Sequence, residues 1–237
     1  MKKYFVQSDI HSFFTIWMKE LIKKGFEKEN QDHILIILGD LFDRGSEPQK
    51  IIDFLKEIGP SRYILVRGNH EDLFLEMIKR GYPLHHDEHN GTDMTAYRLF
   101  GVSWPNEERL KKTDIYKIIN NSVDFYETNK YIFVHGFLPV KIEYGTYVLK
   151  PNWRSSSEEE WHNARWINGF DAGMSVKVPD KTIVFGHFTC QYGHKMYNNK
   201  NSFQPFKKEG IIGIDACTVL SKKVNILVFN EDYKKDG

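Results

Sequence analysis

Short apolar runs that end in polar residues recur along this chain, and they constrain its fold more than any other feature. The runs lie at residues 4–6, 34–37, 63–66, 131–134, 182–185 and 211–214, and a last strand is predicted at 224–229. Their length and their β-branched and aromatic content are typical of buried strands. The first three runs are each followed by apolar residues at helical spacing. This repeated order of strand, polar end and helix indicates a layered α/β protein with at least partly parallel strands.

Helix boundary residues support the same order. The predicted helices span 13–24, the segments between Ser46 and Gly59 and between Glu71 and Gly81, 95–99 and 107–121. A further short helix is predicted to open at Glu158 and to carry Arg165. The segment 85–92 contains three histidines, but it follows no strand and its histidines do not share one helical face. We predict an exposed loop there, with a metal site as the alternative.

Side chains that can bind ions follow the apolar runs at the point where each strand ends. In α/β sheets the functional groups gather beyond the carboxyl ends of the strands, so we expect these side chains to converge. Chance would have scattered them over both ends of the strands and over the helices. The residues are Asp9 and His11, Asp40, Asn69 and His70, His135, His187, and Asp215.

The most highly charged of these strand ends is the stretch 38–45, where two carboxylates and a guanidinium follow a buried strand in quick succession. Carboxylates at such a place are stable only when they are paired or bound to a cation. We interpret Asp40 as a metal ligand, Asp43 as a group that orients a histidine, and Arg44 as a group that faces an anionic substrate. A salt-bridged turn before a helix is the alternative.

The mixture of carboxylate, imidazole and amide oxygen suits two divalent cations of intermediate softness, namely manganese, iron or zinc. Two cations about 3.5–4 Å apart need a shared ligand, and Asp40, on a central strand, is our candidate. Such a pair lowers the pKa of a bound water and so provides a hydroxide at neutral pH. We therefore predict in-line attack on the phosphorus of a phosphate ester, whose negative charge Arg44 and Arg165 would bind.

Composition narrows the class of partner. The net charge is +1, which provides no basic field to indicate nucleic acid as the main partner. No apolar run approaches the length of a membrane span, so no membrane partner is expected, and polar residues follow the first strand too soon for a signal peptide. Cys190 and Cys217 are too few for a disulfide framework, so we expect a reducing, cytoplasmic location. The sequence assigns no oligomeric state.

Five motifs, in their order along the chain, resemble those of calcineurin-like metallophosphoesterases. The Asp-Arg-Gly and Asn-His-Glu elements are similar to those of the phosphoprotein phosphatase branch. Within that branch the closest likeness is to compact bacterial and phage serine/threonine phosphatases and to symmetrical diadenosine tetraphosphatases. The likeness runs from about residue 6 to residue 215. The motifs are Asp9-Ile10-His11, Gly39-Asp40-Leu41-Phe42-Asp43-Arg44-Gly45, Gly68-Asn69-His70-Glu71, His135-Gly136 and Gly186-His187.

The resemblance implies a role for each matching residue. The residues expected to bind the metal ions are Asp9, His11 and Asp40 for the first, and Asp40, Asn69, His135 and His187 for the second. His70 resembles the general acid that protonates the leaving oxygen, held in place by Asp43. Arg44 and Asn69 resemble phosphate-binding groups. Arg165 lies where the family often has a second phosphate-binding arginine.

The resemblance also implies the architecture, which is a central β-sandwich of mixed sheets with helices on both outer faces. We expect residues 1–237 to form a single domain of this type. The segment 137–178 is then an excursion beside the substrate cleft. Its tryptophans, Trp153, Trp161 and Trp166, are predicted to pack in the core, with a wall of the cleft as the alternative.

Three functions compete at this stage. The leading one is a two-metal phosphomonoesterase of the serine/threonine protein phosphatase type, acting on phosphorylated proteins or small phosphate esters. The second is symmetrical hydrolysis of a dinucleoside tetraphosphate, with aromatic residues of 137–178 stacking on adenine. The third, a non-catalytic binding scaffold, is disfavoured because no ligand of the motif set is missing. Asp215 either joins the site or forms a structural turn.

Overall fold

The computed structural model describes residues 2–230, whose strands form two sheets and a separate hairpin. The strands, in chain order, are β1 (Lys3–Gln7), β2 (His33–Leu38), β3 (Tyr63–Val66), β4 (Tyr126–Glu127), β5 (Tyr131–Phe133), β6 (Val140–Glu143), β7 (Thr146–Leu149), β8 (Thr182–Phe185), β9 (Phe206–Lys208), β10 (Ile211–Gly213) and β11 (Leu227–Asn230). One sheet has the order β11-β1-β2-β3 and the other has the order β4-β5-β8-β10-β9. The hairpin consists of β6 and β7.

Helices lie between most of these strands. They are α1 (Phe14–Lys23), α2 (Pro48–Ile58), α3 (Asn69–Arg80), α4 (His85–Asn90), α5 (Thr92–Phe100), α6 (Glu107–Leu110), α7 (Asp114–Asn120), α8 (Glu158–Arg165), α9 (Gly169–Ala172), α10 (Cys190–Asn198) and α11 (Thr218–Ser221). Single 3₁₀ turns occur at Pro60–Arg62 and Trp153–Ser155. Over the described part of the chain, no helix combines the length and the apolar content needed to cross a membrane.

The central strands of each sheet are parallel, so their carboxyl ends lie at one edge. In the first sheet β2 pairs in parallel with β1, where Tyr4 lies opposite Ile34, and also with β3. In the second sheet β8 pairs in parallel with β5 and with β10. Antiparallel strands are confined to the edges, at β11, β4 and β9. Polar residues that follow the parallel strands are therefore brought together.

Alternating side chains place one face of each sheet in a shared core and the other face against helices. Val6, Leu38 and Val184 belong to the core between the two sheets and are fully buried. Phe5, on the opposite face of β1, packs with side chains of α1, α2 and α3. Ile183, on the opposite face of β8, packs with side chains of α8, α9 and the 3₁₀ turn before them. The predicted fold class, a mixed β-sandwich with helices on both outer faces, is confirmed.

Two helical segments differ from prediction. The predicted helix 107–121 is two helices, because Thr113 ends the first and caps the second. The Thr113 hydroxyl donates to the Leu110 carbonyl at 2.6 Å, and the same oxygen accepts from an amide of α7. The predicted loop 85–92 is instead α4 and the start of α5. Gly91, with a φ of 78°, separates these two helices.

Glu127, at the end of β4, holds the segment 137–178 against the second sheet. Its carboxylate accepts two hydrogen bonds of 2.7 Å from Arg154 and lies 3.0 Å from Lys181 Nζ. Hydrogen bonds from Arg154, followed by those from Lys181, lower the pKa of Glu127 to about 2.

This pKa shift leads to a pH-dependent prediction. A carboxyl group whose pKa is lower in the folded chain contributes stability above its unfolded pKa and loses it as the pH falls towards the folded value. We expect Glu127→Gln to lower the free energy of unfolding at pH 7, because the variant loses the paired carboxylate. The loss should be about 1–2 kcal/mol, less than the whole pKa shift implies, because Arg154 is half exposed and water screens the pair. Urea unfolding from pH 7 down to pH 3 should show the difference between variant and wild type shrinking. Glu57→Gln, which removes a carboxylate from an exposed ion pair, is the control. If the difference in the free energy of unfolding between Glu127→Gln and the wild type stayed constant with pH, the prediction would be wrong.

Candidate metal centre

One cleft lies where the carboxyl ends of the two sheets meet. His135 Nδ1–H donates to the Leu38 carbonyl at 2.7 Å, and the His187 amide donates to Asp9 Oδ2 at 3.0 Å. Each of these bonds joins strand ends from different sheets. The cleft has a volume of about 120 Å³. Its lining residues are Asp9, His11, Asp40, Arg44, Asn69, His70, Asn90, Trp166, His187, Asp215, Cys217, Thr218 and Val219.

The backbone at the strand ends adopts a conformation that residues other than glycine seldom use. Asp9, His11, Asp40 and His187 all have φ values between 50° and 61°. Each such residue costs of the order of 1 kcal/mol or more, and such residues cluster at functional sites. Gly39, before Asp40, has a φ of 73°, and a Cβ atom there would lie 2.5 Å from the backbone of the next loop. The loops therefore hold their side chains in place at the expense of local strain.

Asp40 lies between two groups of potential ligand atoms. It forms one group with His11 and His70 and the other with His135 and His187, and the atoms of each group lie within 4.8 Å of one another. Asp40 Oδ2 is 3.8 Å from Nε2 of both His11 and His70. Asp40 Oδ1 is 3.3 Å from His135 Nε2. This position between two groups is the one expected of a shared ligand.

Electron-rich atoms converge at one side of Asp40. His135 Nδ1 carries the proton donated to Leu38, so the neutral imidazole presents a lone pair at Nε2. That Nε2 lies 2.8 Å from Asn69 Oδ1 and 3.3 Å from Asp40 Oδ1. Either a proton on Nε2 or a cation between the three atoms would account for this spacing, and their chemistry fits Mn²⁺, Fe²⁺ or Zn²⁺.

Two further histidines are held neutral, which is the form that binds metals. His11 Nδ1–H donates to the Phe42 carbonyl at 3.1 Å, so that Nε2 faces the cleft. Burial, then the neighbouring His70, lowers the pKa of His11 well below its usual value. Burial and the neighbouring His135 lower the pKa of His187 to about 3. Neutral imidazoles with one nitrogen fixed by a carbonyl are typical metal ligands.

Negative charge is crowded around the cleft. Burial, then Asp215 and Asp40, raises the pKa of Asp9 well above its usual value, and burial, with a contribution from Asp40, raises the pKa of Asp215 to about 7. Burial alone would also raise the pKa of Asp40, but the surrounding histidines, His135 foremost, lower it. Bound cations would offset this excess of carboxylates. Asp9 and Asp215 both line the cleft, although neither belongs to the two compact ligand groups.

Glu71 joins the two loops that carry Asp40 and Asn69. Its buried carboxylate accepts from the amides of Asp40 and Leu41, each at 2.9 Å, and from the amide of Gly68 at 2.8 Å. Three amides of two loops thus depend on one side chain. The sequence pattern placed Glu71 in a motif but assigned it no contact.

Replacing Glu71 by glutamine is expected to destabilise the fold by about 1–3 kcal/mol, because one acceptor oxygen becomes an NH₂ group that faces an amide donor. Urea unfolding of the metal-free protein measures this loss. Glu76→Gln, on an exposed face of the same helix α3, is the matched control. Equal stability of the Glu71 variant and the control would show that the three amides find other acceptors.

His70 is held by Asp43, as predicted. Its Nδ1–H donates to Asp43 Oδ2 at 2.8 Å, and the same oxygen accepts from the Thr92 hydroxyl at 2.8 Å. Burial alone would lower the pKa of His70, but Asp40 and then Asp43 raise it above its usual value. A buried imidazole that favours its protonated form is suited to donate a proton in the cleft.

Arg44 extends over the same centre. Its Nη1 donates to His11 Nε2 at 3.0 Å, its Nη2 lies 3.1 Å from His70 Nε2, and the same Nη2 donates to Asn90 Oδ1 at 3.4 Å. The exposed guanidinium is therefore available to an anion in the cleft. Asn90 and Thr92, which contact this set, come from the segment predicted as a loop, where no periodic pattern pointed to them.

The structure does not bring Arg165 to the cleft, which corrects its predicted role as a phosphate-binding residue. The side chain is 4% exposed, and Nη1 donates to Asp72 Oδ2 at 2.6 Å. Nη2 pairs with Asp124. Because two carboxylates already neutralise the guanidinium, it stabilises the contact between α8 and α3 instead of binding an anion.

The tryptophans of the segment 137–178 divide between the two predicted roles. Trp153 and Trp161 are buried and pack against Phe125, with ring centroids 5.0 and 5.3 Å away. Trp166 is 39% exposed and lines the cleft beside His187. Two of them thus pack in the core, as predicted, and the third lines the candidate cleft.

Comparisons with known proteins agree with this geometry. A family model described as calcineurin-like phosphoesterase matches residues 2–214. A search of curated proteins found no match. Similar solved structures exist, and at identities of 16% or less they show likeness of fold alone.

Three of these similar structures differ in the activity that each is named for. A provisionally assigned diadenosine tetraphosphatase is 16% identical with a TM-score of 0.60, covering 96% of this chain and 89% of its own. A cold-active protein-tyrosine phosphatase from a psychrophilic Shewanella species is 15% identical with a TM-score of 0.62, covering 98% and 76%. A protein serine/threonine phosphatase from Saccharomyces cerevisiae is 14% identical with a TM-score of 0.52, covering 99% and 82%.

Proposed function

Because the chain belongs to the calcineurin-like phosphoesterase family and is thus a metal-dependent phosphoester hydrolase, we propose that it hydrolyses phosphate monoesters, with phosphoserine and phosphothreonine in proteins as the leading substrates. The observation that carries this proposal is the position of Asp40 between two groups of ligand atoms, with Arg44 and His70 reaching into the same cleft. The likeness of fold to a serine/threonine phosphatase supports the substrate class.

The proposed ligands of the two ions follow the motif set. They are Asp9, His11 and Asp40 for one ion, and Asp40, Asn69, His135 and His187 for the other. When bound, two manganese, iron or zinc ions supply Lewis acidity that activates water and neutralises phosphate charge. The buried carboxylates and the neutral imidazoles of this chain are the groups that hold them.

The protein's own side chains complete the chemistry. Arg44 and the Asn69 amide bind the phosphate oxygens and hold the phosphorus in the cleft. His70 donates a proton to the leaving oxygen, which would otherwise depart as an unstable alkoxide. Asp43 fixes the imidazole by its hydrogen bond to Nδ1 and favours the protonated form.

Symmetrical cleavage of a dinucleoside tetraphosphate is the second candidate. Exposed Trp166 in the cleft favours it, because its ring could stack on a base. The fold likeness to a provisionally assigned diadenosine tetraphosphatase also supports it. Both reactions would use the same ligands and the same acid.

Two measurements test the proposal. Elemental analysis of the purified protein is expected to find up to two divalent ions per chain. Initial rates of the manganese-loaded protein on phosphoserine and phosphothreonine peptides, compared with diadenosine tetraphosphate, are then expected to give the higher kcat/KM on the peptides. A higher kcat/KM on the dinucleotide would favour the second candidate. A metal-loaded protein that cleaves neither would overturn both.

A further inference from the structure

Trp166 is a large apolar side chain left uncovered in a polar cleft. The residue is 39% exposed, and the other residues that line the cleft are mostly carboxylates, amides and imidazoles. The two other tryptophans of the segment are 4% and 2% exposed. Single exposed apolar side chains are common at protein surfaces, and Trp166 differs from the others because it lines the cleft beside His187.

The position of Trp166 is set by rigid structure. It follows α8 directly, its amide donates to the Asn163 carbonyl at 3.2 Å, and α9 begins three residues later. The preceding residue, Arg165, is buried in ion pairs with α3. The backbone of Trp166 is thus held by the fold before any ligand arrives, which limits the conformations of its side chain and reduces the entropic cost of stacking against it.

The Trp166 ring is close to the reacting centre. Its centroid is 5.9 Å from that of His187, a proposed metal ligand, at an interplanar angle of 88°. The centroid of exposed His86, which is not itself in the cleft lining, also lies 5.9 Å from the Trp166 ring, at an interplanar angle of 43°. We call Trp166 and His86 the aromatic wall. A group attached to a phosphate in the cleft would lie beside this wall.

We propose that the aromatic wall is a subsite for a planar aromatic group carried by the substrate next to the phosphate that is hydrolysed. This inference rests on the proposed function and widens it beyond alkyl phosphates such as phosphoserine. An aryl group on the ester oxygen and a nucleobase beyond a sugar share the required chemistry, which is a flat π-face. Offset or edge-to-face contact with indole favours such rings over saturated rings of equal size.

Binding of matched phosphonates tests the subsite without requiring turnover. Benzylphosphonate and cyclohexylmethylphosphonate have the same charge and nearly the same size, but only the first is flat. Titration calorimetry with the manganese-loaded protein is expected to show about three- to tenfold tighter binding of the benzyl compound. A second pair, AMP and ribose 5-phosphate, each used as the stable phosphonate in which CH₂ replaces the ester oxygen, differs by the base and shows whether a nucleobase reaches the same wall.

Substitutions at Trp166 show whether the preference for the benzyl compound arises at the aromatic wall. Trp166→Leu is expected to abolish the benzyl preference, and Trp166→Phe, which keeps a ring, is expected to retain part of it. Trp104→Leu is the matched control, because Trp104 is 49% exposed and lies outside the cleft lining. Thermal unfolding confirms that each variant is folded, and the metal content shows that the His187 side is intact.

The outcomes separate the two proposals. No preference for the planar member of either pair in the wild type, or an equal preference in Trp166→Leu, would overturn the aromatic wall while leaving phosphomonoester hydrolysis in place. A benzyl preference that depends on Trp166 in a protein that hydrolyses no ester would support the wall and overturn the proposed function. A preference for AMP over ribose 5-phosphate, without one for benzylphosphonate, assigns the wall to a nucleobase.

Discussion

Replacing His70 by asparagine is expected to slow turnover of a phosphate monoester by about 10²–10⁴-fold while leaving the bound metals in place. The imidazole is the group that the hydrogen bond to Asp43 holds and whose pKa is raised, so its loss removes proton donation to the leaving oxygen. Asparagine is close in size and keeps a polar side chain in the cleft. Steady-state rates and metal content, measured on the same preparation, test this expectation.

The leaving group provides a sharper test. A nitrophenolate departs without a proton, whereas a serine alkoxide does not, so the loss in His70→Asn should be much greater on a phosphoserine peptide than on nitrophenyl phosphate. His85→Asn is the matched control, because the His85 side chain is 95% exposed. Equal losses on both substrates would argue for a role in binding or positioning. A wild-type rate on phenyl phosphate would refute the assignment.

Replacing Asp40 by asparagine is expected to lower kcat/KM by about 10³-fold or more, because each bound ion contributes several kcal/mol to stabilising charge in the transition state. Asp40 is the one residue that both groups of ligand atoms contain. Its Oδ1 also accepts from the His70 amide at 3.1 Å, so the substitution disturbs the start of α3 as well. We expect both ions to bind more weakly.

Elemental analysis after dialysis against a weak chelator measures this weakening directly. The wild type should retain its ions at chelator concentrations that strip Asp40→Asn. Asp53→Asn, an exposed carboxylate on α2, controls for the loss of one negative charge. If the Asp40 variant retained two ions and lost only activity, Asp40 would be a catalytic group instead of the shared ligand.

The sequence predicted the strands and their polar ends because both depend on local patterns. Runs such as 34–37 are apolar throughout, as expected of a central parallel strand, and β2 is buried along its whole length. The approach of Asp9 to Asp40, and of His135 to His187, then follows from the rule that parallel strands of one sheet share an edge. These features need no knowledge of which distant residues touch.

The parts that the sequence did not predict depend on distant contacts. Arg165 could have faced the cleft or the core, and only the approach of Asp72 and Asp124 determines that it is buried. Thr92 and Asn90 carry no periodic signal, and their importance arises from contacts with Asp43 and Arg44. A side chain whose role is fixed by partners far along the chain cannot be assigned from its neighbours in sequence.

The cleft draws its proposed ligands from two separate sheets, and this has a consequence for how the halves of the molecule behave. Asp9 and Asp40 follow strands of one sheet, whereas His135 and His187 follow strands of the other. An ion held by both sides would add a cross-link between layers that are otherwise joined by apolar side chains and by the hydrogen bonds of His135 and His187. Cation occupancy and the cohesion of the sandwich are then linked equilibria, so whatever loosens one layer against the other also lowers the affinity for the ions.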